Sequence, residues 1–243
     1  MSQRQRTAAL VDAWRGGLVV SCQAPEDSPL RDPTIMAAMA RAAAMAGAVG
    51  IRANAPGDVA AVRAVVGLPI IGIDKRPDLD PEVYITPNLA CVEGLVRAGA
   101  SVVAIDATLR VRRGPDAAPS AAVLIAQIHE AFPDIVVMAD VATLAEGVAA
   151  AAAGADLVAT TLSGYTADSP ALPGPDVGLI AALVQAQDRP VVAEGRISTI
   201  EDLRAAFAVG ATAVVVGTAI TDPLTSARRF VAATPRQVAQ AGR

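Results

Sequence analysis

Histidine, lysine, cysteine and aromatic residues are all scarce in this chain. Its 243 residues include one histidine, two cysteines, one Trp, two Tyr and three Phe. The single histidine, His129, lies in a helix-like stretch, so we expect neither a histidine-based triad nor a metal held by histidines. Two cysteines cannot form a disulfide framework and are typical of a reduced, cytoplasmic protein. So few aromatic side chains argue against a surface that stacks bases or sugars.

The charge and the hydrophobic pattern exclude two further classes. The net charge is −4, and nucleic acids or anionic membranes are bound by a basic face. Although 53% of the residues are hydrophobic, polar residues interrupt every run before the roughly 18 apolar residues that span a membrane. Asp12 and Arg15 likewise interrupt the stretch before LVVSC, which therefore does not read as a signal sequence. We expect a cytoplasmic protein that binds neither nucleic acid nor membrane.

Eight short β-branched runs alternate with alanine-rich helical stretches, which is typical of a parallel sheet. This count predicts an α/β protein with one (β/α)₈ TIM-barrel domain over residues 1–243, a barrel core over about 18–233 and a short N-terminal helix near 5–15. A doubly wound open sheet is the alternative, but no Gly-x-Gly-x-x-Gly pattern follows the first strand. The predicted strands are 18–23, 48–54, 69–75, 101–107, 135–140, 156–161, 190–195 and 213–218. The predicted helices after them are 33–46, 57–66, 88–98, 118–131, 143–153, 175–187, 199–209 and 222–233.

Each predicted strand turns polar at its carboxyl end, where (β/α)₈ barrels build their active sites. Lys75 is the only lysine beside nineteen arginines, and lysine, unlike arginine, can lose its proton in a protein. The other polar residues at these ends are Gln23, Arg52, Asn54, Arg76, Asp106, Asp140, Thr160, Thr161, Glu194, Arg196 and Thr218.

Lys75 and Glu194 end strands that stand four apart in a ring of eight, so they are predicted to face each other across the mouth. Two titratable groups on opposite sides of a bound carbon suit inversion at a carbon that a neighbouring carbonyl makes acidic. Burial and the positive charge of Arg52 or Arg76 would favour neutral Lys75, and burial would favour protonated Glu194.

Glycines end the last two predicted strands. Gly195 and Gly217 stand where many barrels bind phosphate through backbone amides and a helix N-terminus. Two tight turns between strand and helix would also explain them.

Several short motifs lie at or near the predicted strand ends: SCQ at 21–23, VGIRAN at 49–54, GIDKR at 72–76, VYITP at 83–87, IDAT at 105–108, MAD at 138–140, TTLSGYT at 160–166, AEGRI at 193–197 and VVVGTAI at 214–220. Together they resemble the N-acetylmannosamine-6-phosphate 2-epimerase family over about residues 18–233. The resemblance implies a barrel enzyme of sialic acid catabolism, an isomerase that epimerises a phosphorylated amino sugar at C2 without metal or other cofactor.

The resemblance also implies residue roles. Lys75 and Glu194 would be catalytic and exchange the C2 proton of the ring-opened sugar. The residues that would bind the sugar are Gln23, Arg52, Asp140 and Thr161. The residues that would bind its phosphate are Gly195, Arg196, Gly217 and Thr218.

Three places depart from the family pattern or carry no assigned role. Asp74 stands where an apolar residue is common; its side chain either points away from the mouth or raises the pKa of Lys75. Asp222 stands where a basic residue is common, which bears on the phosphate contacts. The arginine-rich segment 109–119 is either a flap over the site or a solvated loop.

Two other functions remain open from the sequence. Lys75 could act as the nucleophile of a Schiff-base aldolase or lyase. The chain could also be a sugar-phosphate sensor without catalytic activity. A homodimer is the assembly we consider.

Overall fold

The computed structural model describes residues 2–114 and 116–236 and contains a closed barrel of eight parallel strands in sequential order, β1 to β8. This confirms the (β/α)₈ prediction. The predicted domain limits reach residues 1 and 237–243, which lie outside the described residues. The strands are β1 Gly17–Cys22, β2 Gly50–Asn54, β3 Ile70–Ile73, β4 Val102–Asp106, β5 Val136–Asp140, β6 Leu157–Ala159, β7 Val191–Ala193 and β8 Ala213–Val216. The helices in the described part are α1 Gln3–Trp14, α2 Pro33–Met45, α3 Ala55–Arg63, α4 Leu89–Arg97, α5 Ala121–Ala131, α6 Leu144–Ala152, α7 Val177–Ala186, α8 Ile200–Ala208, α9 Thr218–Thr221 and α10 Pro223–Ala232.

Local sequence signals set the ends of several helices. Thr143 and Glu146 form a capping box at the start of α6, so two of the backbone N–H groups there find side-chain partners. Gly99, Gly154 and Gly210 follow α4, α6 and α8 with φ of 97°, 100° and 99°. Glycine adopts this left-handed conformation without a steric penalty, and it turns the chain from each helix into the next strand.

Strand alternation divides the core into two layers. In β4, Val102 and Ala104 point into the barrel interior, whereas Val103 and Ile105 pack against the surrounding helices. The same period of two sends Asp106 inward at the end of this strand. Alternation therefore decides which strand-end side chains can reach a common site.

Helix α1 covers the barrel at the amino ends of the strands. Trp14 is 1% exposed, packs with the interior residue Val19, and donates its indole N–H to Val49 O at 3.1 Å. A Cβ atom on Gly50 would lie only 3.0 Å from the indole nitrogen, so this glycine permits the close contact. The end opposite the predicted site is thereby closed.

Some strands end before the predicted polar residues. Ladder pairing stops at Ala159 in β6 and at Ala193 in β7. The Thr160 hydroxyl donates to Glu194 O at 2.9 Å and accepts from Glu194 N–H at 3.1 Å, so a side chain replaces the next rung of the ladder. Strand β3 ends at Ile73, and Lys75 instead forms an isolated antiparallel bridge with Ile85.

No helix within the described ranges combines the length and the apolar character that a membrane crossing would require.

Candidate active site

A cavity of about 940 Å³ opens at the carboxyl ends of the strands. It brings together nine of the ten predicted site residues, and Asp140 lies beneath it, fully buried. Those lining it are Gln23, Arg52, Lys75, Thr161, Glu194, Gly195, Arg196, Gly217 and Thr218.

Arg52 joins the two carboxylates of the site. Its guanidinium is 1% exposed and donates to both oxygens of Asp140, at 2.6 and 3.2 Å, and to Glu194 Oε2 at 2.9 Å. Burial alone would lower its pKa, but the charges of Asp140 and Glu194 raise it above the ordinary value, so Arg52 stays cationic. Its terminal nitrogens therefore orient Glu194.

Thr161 completes this arrangement from the end of β6. Its hydroxyl lies 2.7 Å from Asp140 Oδ1 and 3.3 Å from Glu194 Oε2. Because a hydroxyl has one proton to donate, the shorter contact with Asp140 is the better hydrogen bond. Thr161 thus positions the two carboxylates as well as lining the cavity.

The two candidate acid–base groups have pKa values shifted towards each other. Removal of water by burial raises the pKa of Glu194 to about 7, although Arg52 opposes the shift. Surrounding protein atoms lower the pKa of Lys75, and Arg52 adds to this effect, while Glu194 and Asp140 oppose it. Lys75 remains accessible to solvent through the open mouth. A carboxyl group with a pKa of about 7 can both give and take protons near neutral pH.

The backbone around Lys75 is held in place. Its N–H donates to Asn54 Oδ1 at 3.0 Å, from the end of β2. Asp74 points the other way: it is buried outside the cavity and hydrogen-bonded to Cys91 of α4. Of the two roles considered for Asp74, the structure supports the outward orientation that strand alternation predicts.

The side chain of Arg196 is bound by other parts of the protein. Its guanidinium donates to Gly174 O at 2.9 Å and to Ser163 O, and stacks on Tyr165 at 5.6 Å from the ring centroid. The side chain therefore fastens the loop after β6 to the loop after β7. Its backbone N–H, beside Gly195 with φ 106°, is also placed at the cavity.

Gly217 leads directly into the short helix α9, which the sequence did not predict. No side chain caps the first turn of α9, where Ile220 N–H donates to Gly217 O at 2.8 Å. A Cβ atom on Gly217 would lie 3.2 Å from Ser21 Cβ, which favours glycine here. Asp222 lines the same cavity and caps α10 by accepting from Thr225 N–H at 3.0 Å.

The segment 109–119 is bound to the barrel rim, apart from Pro115, which lies outside the described residues. Arg110 pairs with the buried Asp106 at 2.7 Å, and Arg112 donates to Asp106 O and Pro87 O, both at 2.9 Å. None of the described residues of this segment lines the cavity. These contacts do not support a flap over the site.

Several residues that line the cavity were given no role by the sequence, among them Tyr84 and Arg229. Tyr84 reaches it because the Lys75–Ile85 bridge folds its loop back over the strand end. Arg229 reaches the cavity from α10, which is separated from the end of β8 by the short helix α9. Neither position carries a strand-end signal. Within the described ranges, no group of three or more His, Cys, Asp or Glu residues could hold a metal ion.

Comparison with known proteins gives a consistent result. Residues 36–236 match the model of the family described as "Putative N-acetylmannosamine-6-phosphate epimerase". Two relatives are named "Putative N-acetylmannosamine-6-phosphate 2-epimerase". The one from Caldanaerobacter subterraneus is 46% identical over 91% of this chain and 92% of its own length. The one from Cutibacterium acnes is 48% identical over 89% and 93%. The solved structure of the N-acetylmannosamine-6-phosphate 2-epimerase from Clostridium perfringens is 41% identical, with a TM-score of 0.84 over 91% of this chain and 95% of that one.

Proposed function

This chain belongs to the N-acetylmannosamine-6-phosphate epimerase family, and we propose that it interconverts N-acetylmannosamine 6-phosphate and N-acetylglucosamine 6-phosphate. The observation that carries the proposal is the pairing of Lys75 and Glu194. They line one cavity from β3 and β7, which are four places apart in the closed barrel. The reaction belongs to the breakdown of amino sugars such as sialic acid, and we place the enzyme in the cytoplasm.

The chemistry follows from the open-chain form of the sugar. The C1 aldehyde acidifies the C2 proton, because the electrons of the broken C2–H bond spread onto the aldehyde oxygen. One of Lys75 and Glu194 takes this proton, and the other delivers a proton to the opposite face of C2. The configuration at C2 is thereby inverted, and the aldehyde itself serves as the electron sink.

Neighbouring polar groups orient the reacting pair and the sugar. Arg52, held by Asp140, fixes one oxygen of Glu194 by a hydrogen bond of 2.9 Å. Gln23 donates to Ser21 Oγ at 2.7 Å, while its own Oε1 is buried with no partner among the described residues. A buried acceptor of this kind gains from a donor, and a sugar hydroxyl supplies one.

The phosphate is assigned to the loops after β7 and β8. Backbone amides at Gly195, Arg196, Gly217 and Thr218 would bind it. All four residues line the cavity that also contains Lys75 and Glu194, which supports this assignment.

Solvent deuterium tests this function directly. In D₂O with N-acetylmannosamine 6-phosphate, NMR should show N-acetylglucosamine 6-phosphate that carries deuterium at C2. Conversion without deuterium at C2 would refute the proton-transfer mechanism. A borohydride-trapped covalent adduct at Lys75 would indicate Schiff-base chemistry instead.

Activity should depend on pH in a bell-shaped manner. In either direction the reactive pair carries one proton in total, as ammonium with carboxylate or as amine with carboxylic acid. We expect kcat/KM to fall below about pH 7, because Glu194 is then protonated while Lys75 is still an ammonium, and the pair carries two protons. It should also fall at high pH, above the lowered pKa of Lys75. A profile without the limb near neutrality would contradict the role of Glu194.

A homodimer is part of the proposal. Phe230 and Val231 of α10 are 81% and 52% exposed, and large apolar side chains exposed together often mark an association surface. Multi-angle light scattering of the purified protein gives the mass that decides this.

A further inference from the structure

The phosphate end of the cavity contains a carboxylate, Asp222, which is buried and lines the wall beside Thr218 and Thr221. A sugar phosphate carries between about −1.5 and −2 charges at neutral pH. Two like charges at this end would repel each other in the partly desolvated cavity, where Coulomb energies are larger than in water. A cation at this end of the cavity would offset that repulsion.

Four arginines line the cavity, and three of them already have partners. Arg31 pairs with Glu26 at 3.1 Å. Arg52 is bound by Asp140 and Glu194, and Arg196 donates to backbone carbonyl groups. Arg229, in contrast, has neither an ion pair nor a hydrogen bond in the described part of the chain, and it is exposed. Its five N–H donors are available to a ligand.

The position of Arg229 on α10 explains how it reaches the cavity. It lies seven residues after Asp222, which is close to two helical turns, so the two residues are on the same side of the helix. Helix α10 begins two residues after the end of α9, so Arg229 lines the same cavity as Gly217 and Thr218, to which the phosphate is assigned. The adjacent Arg228 points elsewhere: it pairs with Asp27 at 3.0 Å and does not line the cavity.

We propose that Arg229 binds the phosphate of the substrate and gives the enzyme its preference for the phosphorylated over the unphosphorylated sugar. The proposal rests on the proposed function. Arginine suits this task because its planar guanidinium can give two parallel hydrogen bonds to phosphate oxygens. It also offsets the charge of Asp222 at this end of the cavity.

The variant Arg229→Gln tests the proposal. With N-acetylmannosamine 6-phosphate as substrate, its KM should rise about tenfold or more, as expected for the loss of a charge-assisted hydrogen bond, while kcat stays within about twofold. Arg229→Lys should recover part of the affinity, since it keeps the positive charge but not the two parallel N–H donors of the guanidinium. With unphosphorylated N-acetylmannosamine, Arg229→Gln should behave like the unsubstituted enzyme.

Arg228→Gln is the matched control, because it removes the same charge from the same helical turn outside the cavity. Its KM should change less than about twofold. Equal increases in KM for both variants would show only general electrostatic attraction and would overturn the proposal, as would a loss confined to kcat.

Binding of inorganic phosphate separates this proposal from the proposed function. Calorimetry should show phosphate binding to the unsubstituted protein and to Arg228→Gln, and a clear loss in Arg229→Gln. If the protein does not exchange deuterium at C2, the epimerase function fails while this binding test still decides the role of Arg229. Equal phosphate binding by all three proteins would refute that role.

Discussion

Replacing Lys75 by arginine should lower kcat about 10²–10⁴-fold, the usual contribution of one acid–base group. The substitution keeps the positive charge and most of the volume, but arginine cannot lose its proton at any working pH. The effect should therefore appear in kcat, and the circular dichroism spectrum and thermal midpoint should be little changed. Steady-state assays of the purified variant with N-acetylmannosamine 6-phosphate measure it.

The neighbouring Asp74→Asn is the control for Lys75→Arg. Asp74 lies one residue away but contacts Cys91 outside the cavity. The activity of Asp74→Asn should therefore stay within about threefold of that of the unsubstituted enzyme. Near-normal turnover by Lys75→Arg would refute the proton-transfer role of Lys75.

Replacing Glu194 by glutamine should abolish epimerisation but leave proton exchange with solvent on one face of C2. The amide keeps the size and a hydrogen-bonding oxygen, but it cannot take or give the proton. Lys75 can still remove the C2 proton from the epimer whose hydrogen faces it and return a deuteron from solvent to the same face. We expect NMR in D₂O to show exchange at C2 in one epimer only, without interconversion.

Exchange in one epimer only would show that Lys75 and Glu194 act on opposite faces of C2. If Glu194→Gln still converted one epimer into the other, Lys75 alone would serve both faces of the carbon. The variant must also be shown to be folded, because Arg52 would lose the ion pair that it makes with Glu194 at 2.9 Å. Thermal unfolding of the variant tests this. Asp140 remains to hold Arg52 through two hydrogen bonds, so the barrel should stay folded.

The barrel could be predicted from the sequence because each of its signals is local. Strand runs, capping boxes and helix-ending glycines depend on neighbours a few residues apart, and eight repeats of them leave few alternative architectures. Strand-end position and ring order predicted that Lys75 and Glu194 face each other, and strand alternation was one of two readings left open for Asp74, which lies outside the cavity. The outward orientation of Asp74 is a consequence of a period of two, which can be read without coordinates.

The partners of the strand-end side chains could not be predicted in the same way. Arg52 binds Asp140, which is 88 residues further along the chain, and only the closed barrel sets their distance. Arg196 follows a glycine that suits a phosphate loop, yet its guanidinium finds backbone carbonyl groups of the preceding loop. Such choices depend on side-chain rotation and on long-range geometry, which no local pattern records.

The single tryptophan offers a spectroscopic use that follows from its place in the fold. Trp14, the last residue of α1, is buried against the start of β2, at the end opposite the cavity. Its fluorescence should report the docking of α1 and should be insensitive to sugar bound at the mouth. The fluorescence of a tryptophan introduced at the rim would be measured against this constant signal, and an unfolding curve of the native chain would follow the surroundings of Trp14, at the end of the barrel away from the active site.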